Sequence, residues 1–160
     1  MVFWKTRTAI EDAAPEDASA MAEIHDRSFA RGWSAAEIEA LLADYPRVQA
    51  IVMRRGPASR ARMAGFAILR IAGGEAEILT IAVDPASRRK GFGRRLVDEA
   101  ARRAYRERAD ALFLEVDESN RAAVSLYRKL GFETVGHRPH YYPHAGTAPE
   151  AALVMKLPLS

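Results

Sequence analysis

A chain of 160 residues, 49% hydrophobic and 28% charged, has the balance of one folded domain with a real core, which excludes disorder and a second catalytic domain. It contains no cysteine, which excludes disulfide staples, thiolate zinc sites and a cysteine nucleophile and points to a reducing compartment. The formal charge of +3 is unevenly spread, with nine Arg or Lys between Arg88 and Arg108 against only Asp98, Glu99 and Glu107.

No run of about 18 apolar residues occurs, and Met1-Val2-Phe3-Trp4-Lys5 turns polar at once, so the expectation is a soluble cytoplasmic protein with no membrane partner. Thr6 to Ile10 reads as a first strand. Pro15 suits a first helical turn, and Ala18, Met21, Ala22, Ile24 and Phe29 supply its apolar stripe. Ser34 with Glu37 forms a capping box before Ile38, Leu41 and Leu42, starting a second, short helix just after Trp33. Val48 to Met53, Ala64 to Ile71 and Ile78 to Val83 are β-rich runs separated by Gly56-Pro57 and Gly73-Gly74, which predicts an antiparallel meander.

The helical period returns after Asp84-Pro85, with Phe92, Leu96, Ala100 and Ala104 on one face and arginines on the other. Leu112 to Val116 reads as a buried strand. Ser119 is the expected cap of a helix with a core face of Ala123, Leu126 and Leu130, stopped by Gly131. Phe132 to Gly136 and Leu153 to Leu157 complete the strands. The order β, αα, βββ, α, β, α, ββ describes an α/β sandwich with a mixed sheet, with residues 1–160 forming one domain.

Two stretches carry chemistry. In the first, Ile81-Ala82-Val83-Asp84-Pro85 leads to Arg88-Arg89-Lys90-Gly91-Phe92-Gly93 and then a helix. A strand feeding a glycine loop that opens a helix presents backbone N–H groups and a positive dipole end, the recipe for holding phosphate. A plain strand-to-helix turn would read the same way. In the second, Glu115 sits within Leu114-Glu115-Val116, where apolar neighbours would desolvate the carboxylate and make it a usable base near neutral pH. Asn120, at a helix start, can donate and accept toward a ligand across the strand end, or act as a second cap. Tyr127, four residues past Ala123, also suits the core.

Together these stretches resemble the GNAT superfamily of N-acetyltransferases, along nearly the whole chain. The resemblance implies the GNAT fold, a single three-layer α/β/α domain with a mixed, mostly antiparallel central sheet, with acetyl-coenzyme A as co-substrate and no metal. It implies a pyrophosphate site at Arg88, Gly91 and Gly93 with the intervening Arg89, Lys90 and Phe92 and the following Arg94, backbone contacts to the pantetheine arm from Ile81, Ala82 and Val83, and contacts near the thioester from Asn120 and Tyr127.

Within the superfamily the chain is most similar to the ribosomal-protein-alanine N-acetyltransferases. Glu77 to Pro85, Leu114-Glu115-Val116, Ser119-Asn120 and the tail Arg138-Pro139-His140-Tyr141-Tyr142-Pro143 before Leu153-Val154-Met155 carry that likeness. It implies Glu115 as base and Tyr127 as acid in direct attack by a protein N-terminal α-amine, that of an alanine on a small-subunit ribosomal protein. Phe29-x-x-x-Trp33-Ser34 resembles the substrate-side loop, so Trp33, Tyr141 and Tyr142 are the expected peptide contacts. Gly32 and Ala151 depart from the group, which more often has proline and an acidic residue there. An α-amine near 7.7–8.0 loses its proton far more readily than a lysine near 10.4, so one modest base suffices.

Other readings stay open: a member acetylating lysine or a small amine, a non-catalytic acyl-coenzyme A sensor, or a nucleic-acid binder built on the arginine block. Mixed acids on the arginine-bearing helix disfavour DNA as a partner. His137, His140 and His144 are spaced across a proline-containing loop with no nearby acid, so no metal site is expected.

Overall fold

The computed structural model describes residues 7–57, 61–139 and 151–160. Among the described residues seven strands join in one sheet, in the order β1-β2-β3-β4-β5-β7-β6. They are β1 (Thr8–Asp12), β2 (Val48–Arg55), β3 (Arg62–Ala72), β4 (Glu75–Val83), β5 (Ala111–Asp117), β6 (Glu133–Pro139) and β7 (Ala151–Pro158). Every neighbouring pair is antiparallel except β4 and β5. That single parallel step needs a crossover, and the helix α3 (Phe92–Arg106) supplies it.

The helices α1 (Ala18–Ser28) and α2 (Ala35–Leu42) cover one face of β2–β4, where Met21, Ile24 and Ile38 pack on Val52, Phe66 and Ile68. The opposite face carries α3 and α4 (Arg121–Lys129), whose Val97, Ala100, Val124 and Tyr127 meet Leu69, Ile78, Leu114 and Met155. The architecture that the resemblance implies, three layers around a mixed and mostly antiparallel sheet, is therefore present.

Local departures have local causes. The first strand lies at Thr8–Asp12, and Pro15 belongs to a short 3-10 turn ahead of α1. Phe29 is not part of the helical stripe: it follows the end of α1 in extended conformation (φ −129°, ψ 148°) and is 42% exposed. The fourth helix is capped by Asn120, whose Oδ1 accepts the Ala123 N–H at 3.2 Å, and not by Ser119, which instead donates its own N–H and Oγ–H to Asp117. Its most buried residues are Val124 and Tyr127, with Ala123, Leu126 and Leu130 packed at the margin of the core. Ser34 caps α2 as expected, accepting the Glu37 N–H.

Much of the arginine block is engaged within the fold. Arg103 pairs with Asp12 and Glu99, Arg95 bonds Thr8, and Arg94 and Arg102 pair with Asp98 and Glu99. These contacts fasten α3 to β1 and line its solvent face. No described helix is long and apolar enough to cross a membrane.

Candidate active site

The site begins where β4 and β5 part. Their parallel pairing runs from Glu75 and Ala111 to Ile78 and Leu114 and then stops, although β4 continues to Val83 and β5 to Asp117. The cause lies on the other edge of β4. Ile68 pairs with Thr80 and Leu69 with Ile78, so Leu79 is an extra residue without a partner in β3. A bulge of this kind bends its strand and raises the local twist, swinging the end of β4 away from β5. Beyond Ile78 one edge of β4 stays bonded to β3 while the other presents main-chain groups to the gap.

Two clefts meet at this gap. The first, about 650 Å³, is lined by Ile81, Ala82 and Val83 of β4, by Arg88 and Gly93, and by Asn120 and Tyr127 of α4. The second, about 570 Å³, is lined by Trp33, Glu37, Asp44, Arg70 and Glu77. Ile78, Leu79 and Glu115 line both. The carboxylate of Glu115 therefore stands where the two openings communicate.

The loop at the mouth of the first cleft is held from several sides. Asp84 accepts the Ala86 N–H and pairs with Arg27 of α1 at 3.2 Å, which fixes the turn after β4. Arg88 donates to the Val83 carbonyl and to Ser28 Oγ, both at 3.3 Å. Arg89 (φ 64°) and Gly91 (φ 75°) take left-handed conformations that turn the chain into α3. No side chain caps α3, so its first-turn N–H groups remain for a ligand. At Gly93 an added Cβ would meet nothing closer than Leu126 Cδ2 at 3.7 Å. The fold itself does not require a glycine there. A residue without a side chain beside first-turn amides and an arginine fits the approach of a phosphate group.

The expected residues divide into those the cleft gathers and those it does not. The side chain of Phe92 is buried against Met53, Ala67 and Leu96, so only its main chain is available to the loop. Arg89 and Lys90 are exposed, and Arg94 points along α3 to Asp98. Asn120 spends its oxygen on the Ala123 cap, leaving its amide hydrogens as the group free to face a ligand. Trp33 lines the second cleft. Tyr141, Tyr142, His140 and His144 lie outside the described residues. His137 is exposed beside Arg121 and Arg128 in a separate groove.

Glu115 and Tyr127 differ from the sequence picture in instructive ways. Glu115 is not secluded among apolar groups: its side chain is 27% exposed, and its Oε1 lies 3.0 Å from Arg138 Nη1. Its alternation on β5 turns Leu114 and Val116 into the core and Glu115 out of it. Tyr127 is both core aromatic and cleft wall, 8% exposed and tilted against Phe132 at 5.8 Å. Burial pushes its phenol above the ordinary value of 10, so it stays protonated and able to donate.

Sequence reading missed Glu37, Asp44, Arg70 and Glu77 of the second cleft, and Arg138 as the partner of Glu115. They come from α2, the turn after it, β3, β4 and β6, and share no spacing that a motif could register.

The sequence profile described as the acetyltransferase (GNAT) family matches residues 18–132. A curated relative, the [ribosomal protein bS18]-alanine N-acetyltransferase of Salmonella typhimurium, is 42% identical over 99 residues, 62% of this chain and 66% of its own length. The matched stretch thus spans just under two thirds of that relative. The N-alpha-acetyltransferase RimI of Mycobacterium tuberculosis is 46% identical over 72 residues, 45% of this chain and 44% of its own. Among solved structures, the ribosomal-protein-S18-alanine N-acetyltransferase from Escherichia coli superposes with a TM-score of 0.83 at 32% identity, covering 96% of this chain and 95% of that one. The profile match covers more than half of the chain, and the fold superposes on a solved N-acetyltransferase along nearly its whole length, so the chain belongs to the acetyltransferase (GNAT) family.

Proposed function

We propose that this protein transfers acetyl from acetyl-coenzyme A to a protein N-terminal α-amine, that of an alanine on a small-subunit ribosomal protein in the cytoplasm. The observation that carries the reading is the shared position of Glu115 between the two clefts. One opening carries the uncapped start of α3 and suits a polyanion. The other carries Glu37, Asp44 and Glu77 and suits an incoming ammonium group. The names of the bacterial relatives supply the acceptor class, and the joining of all seven strands in one sheet supports reading 1–160 as one catalytic domain.

The residues then take the following parts. The amides of residues 91–94 and Arg88 hold the diphosphate, and the open edge of β4 from Leu79 to Val83 binds the amide groups of the pantetheine arm. Acetyl-coenzyme A supplies an acyl group already activated as a thioester. Glu115 removes the proton that the attacking amine must lose, and Tyr127 hands a proton to the departing sulfur. Trp33, Tyr141 and Tyr142 are the proposed peptide contacts, flat surfaces suited to an extended main chain. A small first residue is favoured because the amine must approach the carbonyl carbon closely.

The test pairs two peptides with acetyl-coenzyme A: one with a free N-terminal alanine, and the same peptide blocked at that amine but carrying a free lysine. Acetylation confined to the first supports the reading. Strong modification of the blocked peptide, with little of the free terminus, would move the enzyme to the lysine branch.

A further inference from the structure

His25 is a buried titratable side chain that the acid–base chemistry leaves unused. It is 3% exposed on the inner face of α1. Its ring stacks on Phe29 at 4.3 Å and on Trp33 at 4.8 Å between centroids, with Phe66 of β3 at 6.4 Å. Its Nδ1 accepts the backbone N–H of Trp33 at 3.1 Å. Accepting that bond requires Nδ1 to be bare, so the neutral ring carries its proton on Nε2. The spacing of His25, Phe29 and Trp33, four residues apart, looks helical, yet α1 ends at Ser28 and the chain folds back to bring all three rings together.

The segment held in this way is short and walls both clefts. Phe29 and Ala30 line the first and Trp33 the second. It is also pressed onto α1 at main-chain range: a Cβ at Gly32 would lie 2.8 Å from Asp26 Oδ1 and 3.1 Å from Asp26 Cα. A side chain there would push the segment outward, which accounts for glycine at a position where the resembling group more often has proline.

We propose that His25 is a positioning residue for the acceptor: the neutral ring clasps residues 29–33 and sets Trp33 as a wall of the second cleft, and protonation of Nδ1 releases that wall and weakens acceptor binding. The inference rests on the reading of the second cleft as the acceptor side. Once Nδ1 carries a proton it is a donor facing another donor, and the Trp33 N–H loses its partner.

The surroundings set the pH range. Burial holds the imidazole below its ordinary 6.5, outweighing the opposing pull of Asp26 on its own helix and Glu37 on α2. From β3 the ring meets Phe66, and from the segment itself Phe29 and Trp33, none of them charged. With the folded value below the unfolded one, the unfolded chain takes up the proton first. The clasp is therefore intact above 6.5 and is lost as pH falls through the lower, folded value.

The experiment uses the full chain in a Trp4→Phe background, where Trp33 is the single tryptophan. Its emission is followed against pH, because release from the His25 ring changes the surroundings of the indole. The alanine-leading peptide and acetyl-coenzyme A are assayed alongside. Expected are a Trp33 transition with its midpoint below 6.5 and an acceptor KM that rises as that transition proceeds.

His25→Phe keeps a stacking ring but removes the acceptor, and is expected to raise the peptide KM about fivefold at all pH values while moving the acetyl-coenzyme A KM less than about twofold. His25→Asn, which restores an acceptor that does not titrate, should recover most of the peptide KM at neutral pH and abolish the acid rise. An acceptor KM whose pH dependence is the same in wild type and His25→Asn overturns the proposal, as does a Trp33 emission that does not titrate. The emission arm needs no acceptor. Failure of every variant and the wild type to acetylate the peptide would therefore reject the N-terminal reading while the Trp33 titration still decides the clasp. Should His25→Phe not fold, the wild-type titration and His25→Asn suffice.

Discussion

The two clefts that meet at Glu115 are built by opposite means. The first is built around main-chain groups, the open edge of β4 and the start of α3, with β5 and α4 opposite and the end of α1 beside them, drawn from three stretches of sequence, 28–30, 78–93 and 114–127. The second is made of side chains from the segment before α2, from α2 itself, from the turn after it, and from β3, β4 and β5. Their charges also oppose, with Arg88 and a helix N-terminus on one side and Glu37, Asp44 and Glu77 around Arg70 on the other. A main-chain site recognises one ligand chemistry and tolerates sequence change elsewhere, whereas a side-chain site can be retuned one residue at a time.

The sharpest way to break this division is at the residue both clefts share. Glu115→Gln should lower turnover by about 10²–10⁴-fold, the usual worth of a general base, and leave acetyl-coenzyme A binding nearly unchanged by calorimetry. Equal losses of binding and turnover would show that Glu115 belongs to the first cleft alone. Tyr127→Phe removes only the hydroxyl from a buried ring, so turnover should fall about 10²-fold with thermal stability little altered. Because burial holds the phenol protonated above its ordinary 10, the wild-type rate should show no alkaline loss from Tyr127 below pH 10.

The loop variants separate fold from ligand. Gly93→Val sets its Cβ in ordinary contact range of Leu126 without displacing main chain, so coenzyme A affinity should drop about tenfold or more while the melting temperature changes little. Gly91→Val forces a β-branched residue to φ 75° and should also cost about 1–3 kcal/mol of stability. An unchanged affinity in Gly93→Val would remove the phosphate site from this loop. The smallest effect belongs to the acidic wall: Glu77→Lys should raise the KM of a basic peptide about two- to fivefold, less so at high salt, with no change for acetyl-coenzyme A.

How much of this was legible follows the same division. The start of α3 could be read because Gly91 and Gly93 are adjacent in the chain to the strand that feeds them. The cap of α4 was misplaced by one residue because Ser119 and Asn120 are both good caps, and the choice turns on Asp117 already holding Ser119. The sequence singles out Glu115 but cannot show its setting, since Arg138 reaches it from β6 only after β7 has inserted between that strand and β5.

Composition, helical period and turn residues, all local properties, were enough to determine seven strands, four helices and the meander of β2 to β4. What they could not determine is which face a strand residue meets. Along β4 exposure alternates without interruption from Glu75 to Val83, yet Ile78 packs with α3 and α4 while Ala82 packs with α1 and α2. The bulge at Leu79 exchanges the faces midway, and it exists only as a mismatch in register with β3. A period of two in one strand is identical on either side of such a mismatch. Pairing across the sheet therefore decided where β4 turns from β5, and with it the gap that Glu115 occupies.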